Sequence, residues 1–244
     1  MKLSRILISL IALFLFAQAE ASEKTYSSGE QQVALLELFT SQGCSSCPPA
    51  DKWVNQLIDR PGLWRKFIPV SFHVDYWDYI GWKDPYASRS NLNRQYRYKQ
   101  QKGVKVVYTP GFVVNGKEWR DWRRNSKIPQ DENSPGNLEV KIDGQRLQAK
   151  FIPVEKSDER YRLTVVLLGF DLSSRVTDGE NEGRTLKEEF VVLDQASQLS
   201  HDSNWDIQLP WLNTASRGKR GVAAWVATEN RQAPVQATGG WLNQ

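Results

Sequence analysis

Apolar positions follow two rhythms along the chain. Val33 to Phe39 (VALLELF) and Phe67 to Val74 (FIPVSFHV) are short, nearly continuous apolar runs of the kind a buried strand needs. Between them, Asp51 to Ile58 (DKWVNQLI) sets Trp53, Val54, Leu57 and Ile58 at helical spacing. Asn91 to Lys102 is polar and helix-compatible, and Gly103 stands where a helix C-cap is expected. Val104 to Tyr108 and Phe112 to Val114 read as strands, and Asn115-Gly116 is a strong hairpin signal. Strand, helix, strand and hairpin in that order predict a sheet with both parallel and antiparallel pairs.

The rhythm changes after the polar, twice-proline stretch Asn125 to Gly136 (NSKIPQDENSPG), which reads as a linker. Leu138 to Ile142 alternates, and Asp143-Gly144 turns it into Leu147 to Ile152. Tyr161 to Phe170, Phe190 to Leu193 and Gly221 to Ala227 follow as strands, which predicts an antiparallel β-sandwich. The expected organisation is α/β plus all-β, with a helix-bearing domain at 22–124, a linker at 125–137 and a β-sandwich domain at 138–244.

Residues 1–21 stand outside this pattern. Lys2 and Arg5 precede an apolar run from Ile6 to Phe16, interrupted by Ser9, and A-x-A sites follow at Ala17 to Ala21. That is the form of a secretory signal peptide, and the run is too short to span a bilayer. The expected protein is secreted, periplasmic, and without a membrane span after cleavage. The formal charge of +4 loses the two charges of Lys2 and Arg5 and falls to +2. So weak a surplus gives no argument for nucleic acid, and none is expected as a partner.

Two Cys and two His in 244 residues exclude a four-cysteine zinc site and a disulfide-rich scaffold. The cysteines form one C-x-x-C, Cys44 and Cys47, at the end of a predicted strand where a helix starts. Unpaired N–H groups at a helix start stabilise a thiolate, and a neighbouring thiol can resolve a mixed disulfide. Three readings stand: a redox dithiol, a structural disulfide, and a copper or zinc ion held by Cys44, Cys47 and His73. A disulfide closing a four-residue loop stabilises by only roughly 2 kcal/mol, against about 4.7 for a 100-residue loop, which makes this one a poor staple. No cofactor is expected.

Residues 33–120 look like a thioredoxin-like domain. The strings LFTSQGCSSCPPAD, FHVDYWDYIGWKDPY and VYTPGFVVNG are similar to the bacterial secreted family known as domain of unknown function 1223. The resemblance continues through Gly179 to Leu186 (GENEGRTL). It implies Cys44 as nucleophile, Cys47 as resolving thiol, and a cis peptide at Thr109-Pro110 that contacts a substrate strand. The implied activity is thiol–disulfide exchange with protein thiols or an envelope redox partner. The alternative is a non-enzymatic envelope binding or scaffold protein. The chain departs from thioredoxin-like enzymes in having Gly43 before Cys44, serines between the cysteines, and Pro48-Pro49 after them. A residue before proline is pushed from the helical region, so Cys47 and Pro48 are expected extended, with the helix starting near Pro49.

In a parallel sheet ligands gather at the carboxyl ends of strands. Trp77 and Trp82 are therefore candidate substrate contacts, and Asp75 and Asp78 candidate proton acceptors for Cys47. The plain alternative for these residues is a capped loop with core tryptophans. Arg94, Arg97, Lys99 and Lys102 read as a solvated helix face. GENEGRTL reads as a tight loop with Arg184 pairing Glu180 or Glu182, since the phosphate-loop pattern is absent.

Overall fold

The structure, a computed structural model, describes residues 23–124, 127–156, 158–212 and 218–243. The expected leader lies outside these residues. The chain runs through β1 (Lys24–Ser27), β2 (Ala34–Thr40), α1 (Pro48–Asn55) with a 3-10 turn at Gln56–Asp59, and β3 (Phe67–His73). A 3-10 turn at Asp75–Ile80, α2 (Arg89–Gln100) and the hairpin of β4 (Gly111–Val114) and β5 (Lys117–Glu118) follow. Strands then succeed one another: β6 (Gly136–Asp143), β7 (Arg146–Pro153), β8 (Tyr161–Gly169), β9 (Leu172–Arg175) and β10 (Thr185–Glu188). Last come β11 (Val191–Ser200), β12 (Asn204–Gln208), β13 (Arg220–Thr228) and β14 (Gln236–Asn243).

An eight-stranded sheet, in the order β14-β13-β8-β11-β3-β2-β4-β5, runs through both halves of the chain. A four-stranded sheet, β1-β6-β7-β12, covers part of it, and β9 and β10 form a separate two-stranded ribbon. β2 pairs in parallel with β3 and antiparallel with β4, giving the expected mixture. The expected fold, a thioredoxin-like α/β domain followed by a separate β-sandwich, is corrected here. Strand makes up 42% and helix 18%, and the main sheet is mixed and shared. The joint is one parallel pair, Val191 against Ser71, where β11 takes the edge of β3. Without β11 that edge would present unpaired N–H and C=O groups.

β8 shows why its run is nearly all apolar. Leu163 and Val165 pack with Leu138, Val140 and Leu147 of the four-stranded sheet. Val166 and Leu168 face the other way and join Phe72, Leu92 and Trp225. A strand buried on both faces shows no polar alternation. The tryptophans are mostly core. Trp53, Phe112, Trp119 and Trp122 meet with ring centroids 5.0–6.3 Å apart, and Trp64 stacks edge-on to Trp241 at 5.3 Å.

Three local expectations fail. Residues 104–108 form no strand; β4 is paired on both sides by β2 and β5. The left-handed residue after α2 is Lys102, with φ 61°, and not Gly103. Gly103 is needed for a close approach: a Cβ there would lie 2.5 Å from the Gly116 carbonyl oxygen. Arg94 is not solvated but 3% exposed, and it is paired with Glu37 on β2.

Candidate functional site

β2 delivers the chain to a turn at Ser41-Gln42-Gly43, and the two cysteines close it. The Cys44 N–H donates to the Ser41 carbonyl (3.2 Å) and the Cys47 N–H to the Cys44 carbonyl (3.1 Å). Cys44 and Cys47 form a disulfide. α1 starts at Pro48 with Cys47 as N-cap at φ −78°, ψ −38°. The expected extended conformation of Cys47 is thus not adopted. The turn already fixes Cys47, since the Ala50 and Asp51 N–H groups donate to its carbonyl at 2.8 and 3.1 Å. Both cysteines are 0% exposed.

The cover comes from the distant GENEGRTL loop. The Asn181 amide, fully buried, donates to the carbonyls of Gln42 (2.9 Å) and Cys44 (3.0 Å). Glu180 accepts from the Ser45 N–H at 3.0 Å. Arg184 donates to the Asn181 side-chain oxygen at 2.9 Å rather than pairing Glu180 or Glu182. The sequence marked this loop as tight but gave no sign of its target. Replacing Asn181 by Ala removes both donors and leaves buried carbonyls short of a partner. The expected cost is about 1–3 kcal/mol, with faster reduction of the disulfide by dithiothreitol. An unchanged reduction rate would show that the loop does not control access.

The loop after β3 flanks the disulfide turn. A Cβ on Gly43 would meet the Trp77 Cβ at 3.0 Å, so only glycine fits without displacing Trp77. The Trp77 indole donates to the Thr109 hydroxyl at 2.7 Å, and the Thr109-Pro110 peptide is cis. The Trp82 indole donates to the Gln42 side-chain oxygen at 3.0 Å. Trp77 and Trp82 are thus tied to the turn and to Thr109. Asp75 pairs with Arg89 at 3.1 Å, and Asp78 accepts from the Asp84 N–H at 3.3 Å. Burial pushes the Asp78 carboxyl up.

Beneath the turn lies a charged cluster that the sequence reading largely missed. His73 Nδ1 meets an Asp84 oxygen at 2.7 Å, and its Nε2 lies 3.9 Å from Glu188 of β10. Asp84 also accepts from the Gln42 N–H at 2.8 Å, and the Gln42 amide donates to Glu188 at 2.8 Å. Asp51, one turn into α1, accepts from the Thr40 hydroxyl at 2.7 Å. Burial drives the Asp51 carboxyl up to about 7, against the pull of His73. Burial lowers His73, but Asp84 and Glu188 outweigh it and raise the imidazole to about 9. Burial likewise raises Glu188. For Asp84, burial is outweighed by His73 and the carboxyl is held low. Asp51 was legible as the residue four after Cys47 on a predicted helix. Glu188 was not, because it arrives from 141 positions beyond Cys47.

His73 is committed to this cluster. Among the described residues no group of three or more His, Cys, Asp or Glu is placed to hold a metal ion. Likewise, among the described residues no helix is long and apolar enough to cross a membrane.

The family described as "Protein of unknown function (DUF1223)" matches residues 35–227. A crystal structure of a protein from Agrobacterium tumefaciens is similar at 24% identity and TM-score 0.62, over 88% of this chain and 97% of that one. HBP35 of Porphyromonas gingivalis is similar at 13% identity and TM-score 0.56, over 87% of this chain and 76% of that one. At these identities the two likenesses bear on the fold alone. No match was found among curated proteins.

Proposed function

The chain belongs to the DUF1223 family, and we propose that it is an exported, periplasmic thiol–disulfide exchange protein acting through Cys44 and Cys47. One observation carries this reading. A short-loop disulfide, which does little for stability, sits at the start of α1 above a buried Asp51 carboxyl raised to about 7 and a buried His73 imidazole raised to about 9. Such groups cluster at functional sites. In the reduced form the Cys44 thiolate attacks one sulfur of a substrate disulfide, and one substrate thiolate leaves. Cys47 loses its proton to Asp51, attacks Cys44 in the mixed disulfide, and expels the second substrate thiolate. Two electrons pass from the dithiol to the substrate, and the Cys44–Cys47 bond is the product. Thr109, Pro110, Trp77 and Trp82 then form the substrate side of the site.

The test is capture of a substrate by a Cys47→Ala variant, which strands the mixed disulfide on Cys44. A further check is the redox potential against glutathione. A value below about −300 mV, the range of inert structural disulfides, together with no exchange, overturns the reading. Asp51→Asn is expected to remove an inflection near pH 7 from the exchange rate, without removing exchange itself. A profile identical to that of the parent chain would remove Asp51 from the step.

A second reading is favoured by the burial of both sulfurs. In it the disulfide is structural and the protein is a non-enzymatic envelope binding or scaffold protein. A Cys44→Ser variant that keeps every cellular function supports that reading against exchange.

A further inference from the structure

α2 lies over β8, β11 and β13 and leaves a pocket of about 490 Å³ beside it. None of the exchange-site residues lines it. Four arginines do: Arg94 and Arg97 from α2, Arg162 from β8, and Arg231 from the turn after β13. Glu229 is the acid among the lining residues, and it is paired with Arg160. Arg94 is neutralised by Glu37. Arg97 bonds a neutral partner, the Gln232 side-chain oxygen, at 2.8 Å. No ion pair to Arg97, Arg162 or Arg231 is present among the described residues.

Like charges gathered in a concavity repel, and the cost shows. Burial first, then Arg94 and Arg162, hold the Arg97 guanidinium below its ordinary range. Clefts of one sign focus the field and concentrate the opposite ion. Guanidinium forks match the geometry of phosphate and carboxylate oxygens. Thr164 and Ser197, whose hydroxyl oxygens are 3.2 Å apart, add hydroxyls to the wall, and the Trp225 ring supplies an apolar side. The volume falls in the range of small-molecule sites.

We propose that this pocket binds a small phosphate-bearing anion through Arg97, Arg162 and Arg231. A dianion neutralises most of the three uncompensated charges; the Ser197 hydroxyl is held by the Leu163 carbonyl at 3.1 Å, which leaves the Thr164 hydroxyl to turn from Ser197 and donate to one of the anion's oxygens. The inference is independent of exchange at Cys44 and Cys47.

Titrating the full chain calorimetrically with inorganic phosphate at low, constant ionic strength tests it. Saturable uptake of one phosphate per chain is expected. Arg97→Gln and Arg162→Gln are each expected to weaken binding by roughly tenfold or more, the loss of a charge-assisted hydrogen bond. Ser197→Asp, at an exposed position that spares the fold, is expected to abolish uptake by placing a negative charge in the pocket. No saturable uptake by the parent chain overturns the proposal. So does unchanged affinity in Ser197→Asp. Sedimentation with phosphatidylglycerol vesicles separates the source of the phosphate. Cosedimentation without uptake of free inorganic phosphate also overturns the small-molecule assignment.

Discussion

Replacing Arg94 by Met is expected to destabilise the protein by about 3–5 kcal/mol, the cost of stranding a buried charge. Glu37 stands 0% exposed in the middle of β2. Its carboxylate accepts from Arg94 Nε at 2.5 Å and from the Tyr98 hydroxyl. Arg94 also donates to Tyr98 at 3.1 Å and lies over the Trp225 ring, 4.7 Å from its centroid. Losing the guanidinium therefore removes both the counter-charge and a packed cation–π contact. Replacing the triad as a whole, with Glu37→Leu, Arg94→Met and Tyr98→Phe together, is expected to recover most of the loss. A buried pair exchanged for apolar residues of similar volume is often neutral. Denaturant midpoints of the single and triple variants decide the matter. A triple variant no more stable than Arg94→Met would show that packing, and not charge, is what Arg94 contributes.

Raising the pH is expected to have the next largest effect. The folded imidazole of His73 titrates at about 9 against an ordinary 6.5. Its contribution is fully present below pH 6.5 and is lost as pH rises through about 9. Asp51, raised to about 7 from 3.8, acts in the same direction. Folding favours its protonated form, so its contribution is fully present below pH 3.8 and is lost as pH rises through about 7. Across this window the folded chain binds more protons than the unfolded chain, and stability falls. The shift at His73 alone corresponds to something on the order of 3 kcal/mol. Unfolding midpoints measured between about pH 6 and about pH 10 should decline steadily, and His73→Gln should flatten the decline. A flat profile in the parent chain would contradict this account of the cluster.

Sequence legibility differed from one element to the next. β2, β3, α2 and the β4–β5 and β6–β7 hairpins were readable because their signals are local: apolar runs, helical spacing, Asn115-Gly116 and Asp143-Gly144. β1, β9, β10, β12 and β14 were not singled out. Most are short or, like β14 with its Gly239-Gly240, weak in apolar content. The cysteine pair, Thr109-Pro110 and the flanking Trp77 and Trp82 were legible as a constellation; Trp77 and Trp82 contact the cysteine turn, and Thr109 is bonded to Trp77. Asp75 and Asp78 were named because they follow the carboxyl end of β3, and they are bound to Arg89 and to the Asp84 N–H. Space instead put Asp51, Asp84 and Glu188 around His73.

By itself, then, the sequence determined the short-range facts. These are which segments extend or coil, where the chain turns, and that the whole thiol content is one four-residue loop. Tertiary structure alone decided three others: that β11 continues the sheet from β3, that Asn181 covers the cysteines, and that Arg94 is buried rather than solvated. The reason is physical. Periodicity records whether a face meets apolar matter or water. It carries no information about which strand edge supplies the missing hydrogen bonds, or which distant carboxylate neutralises a buried cation.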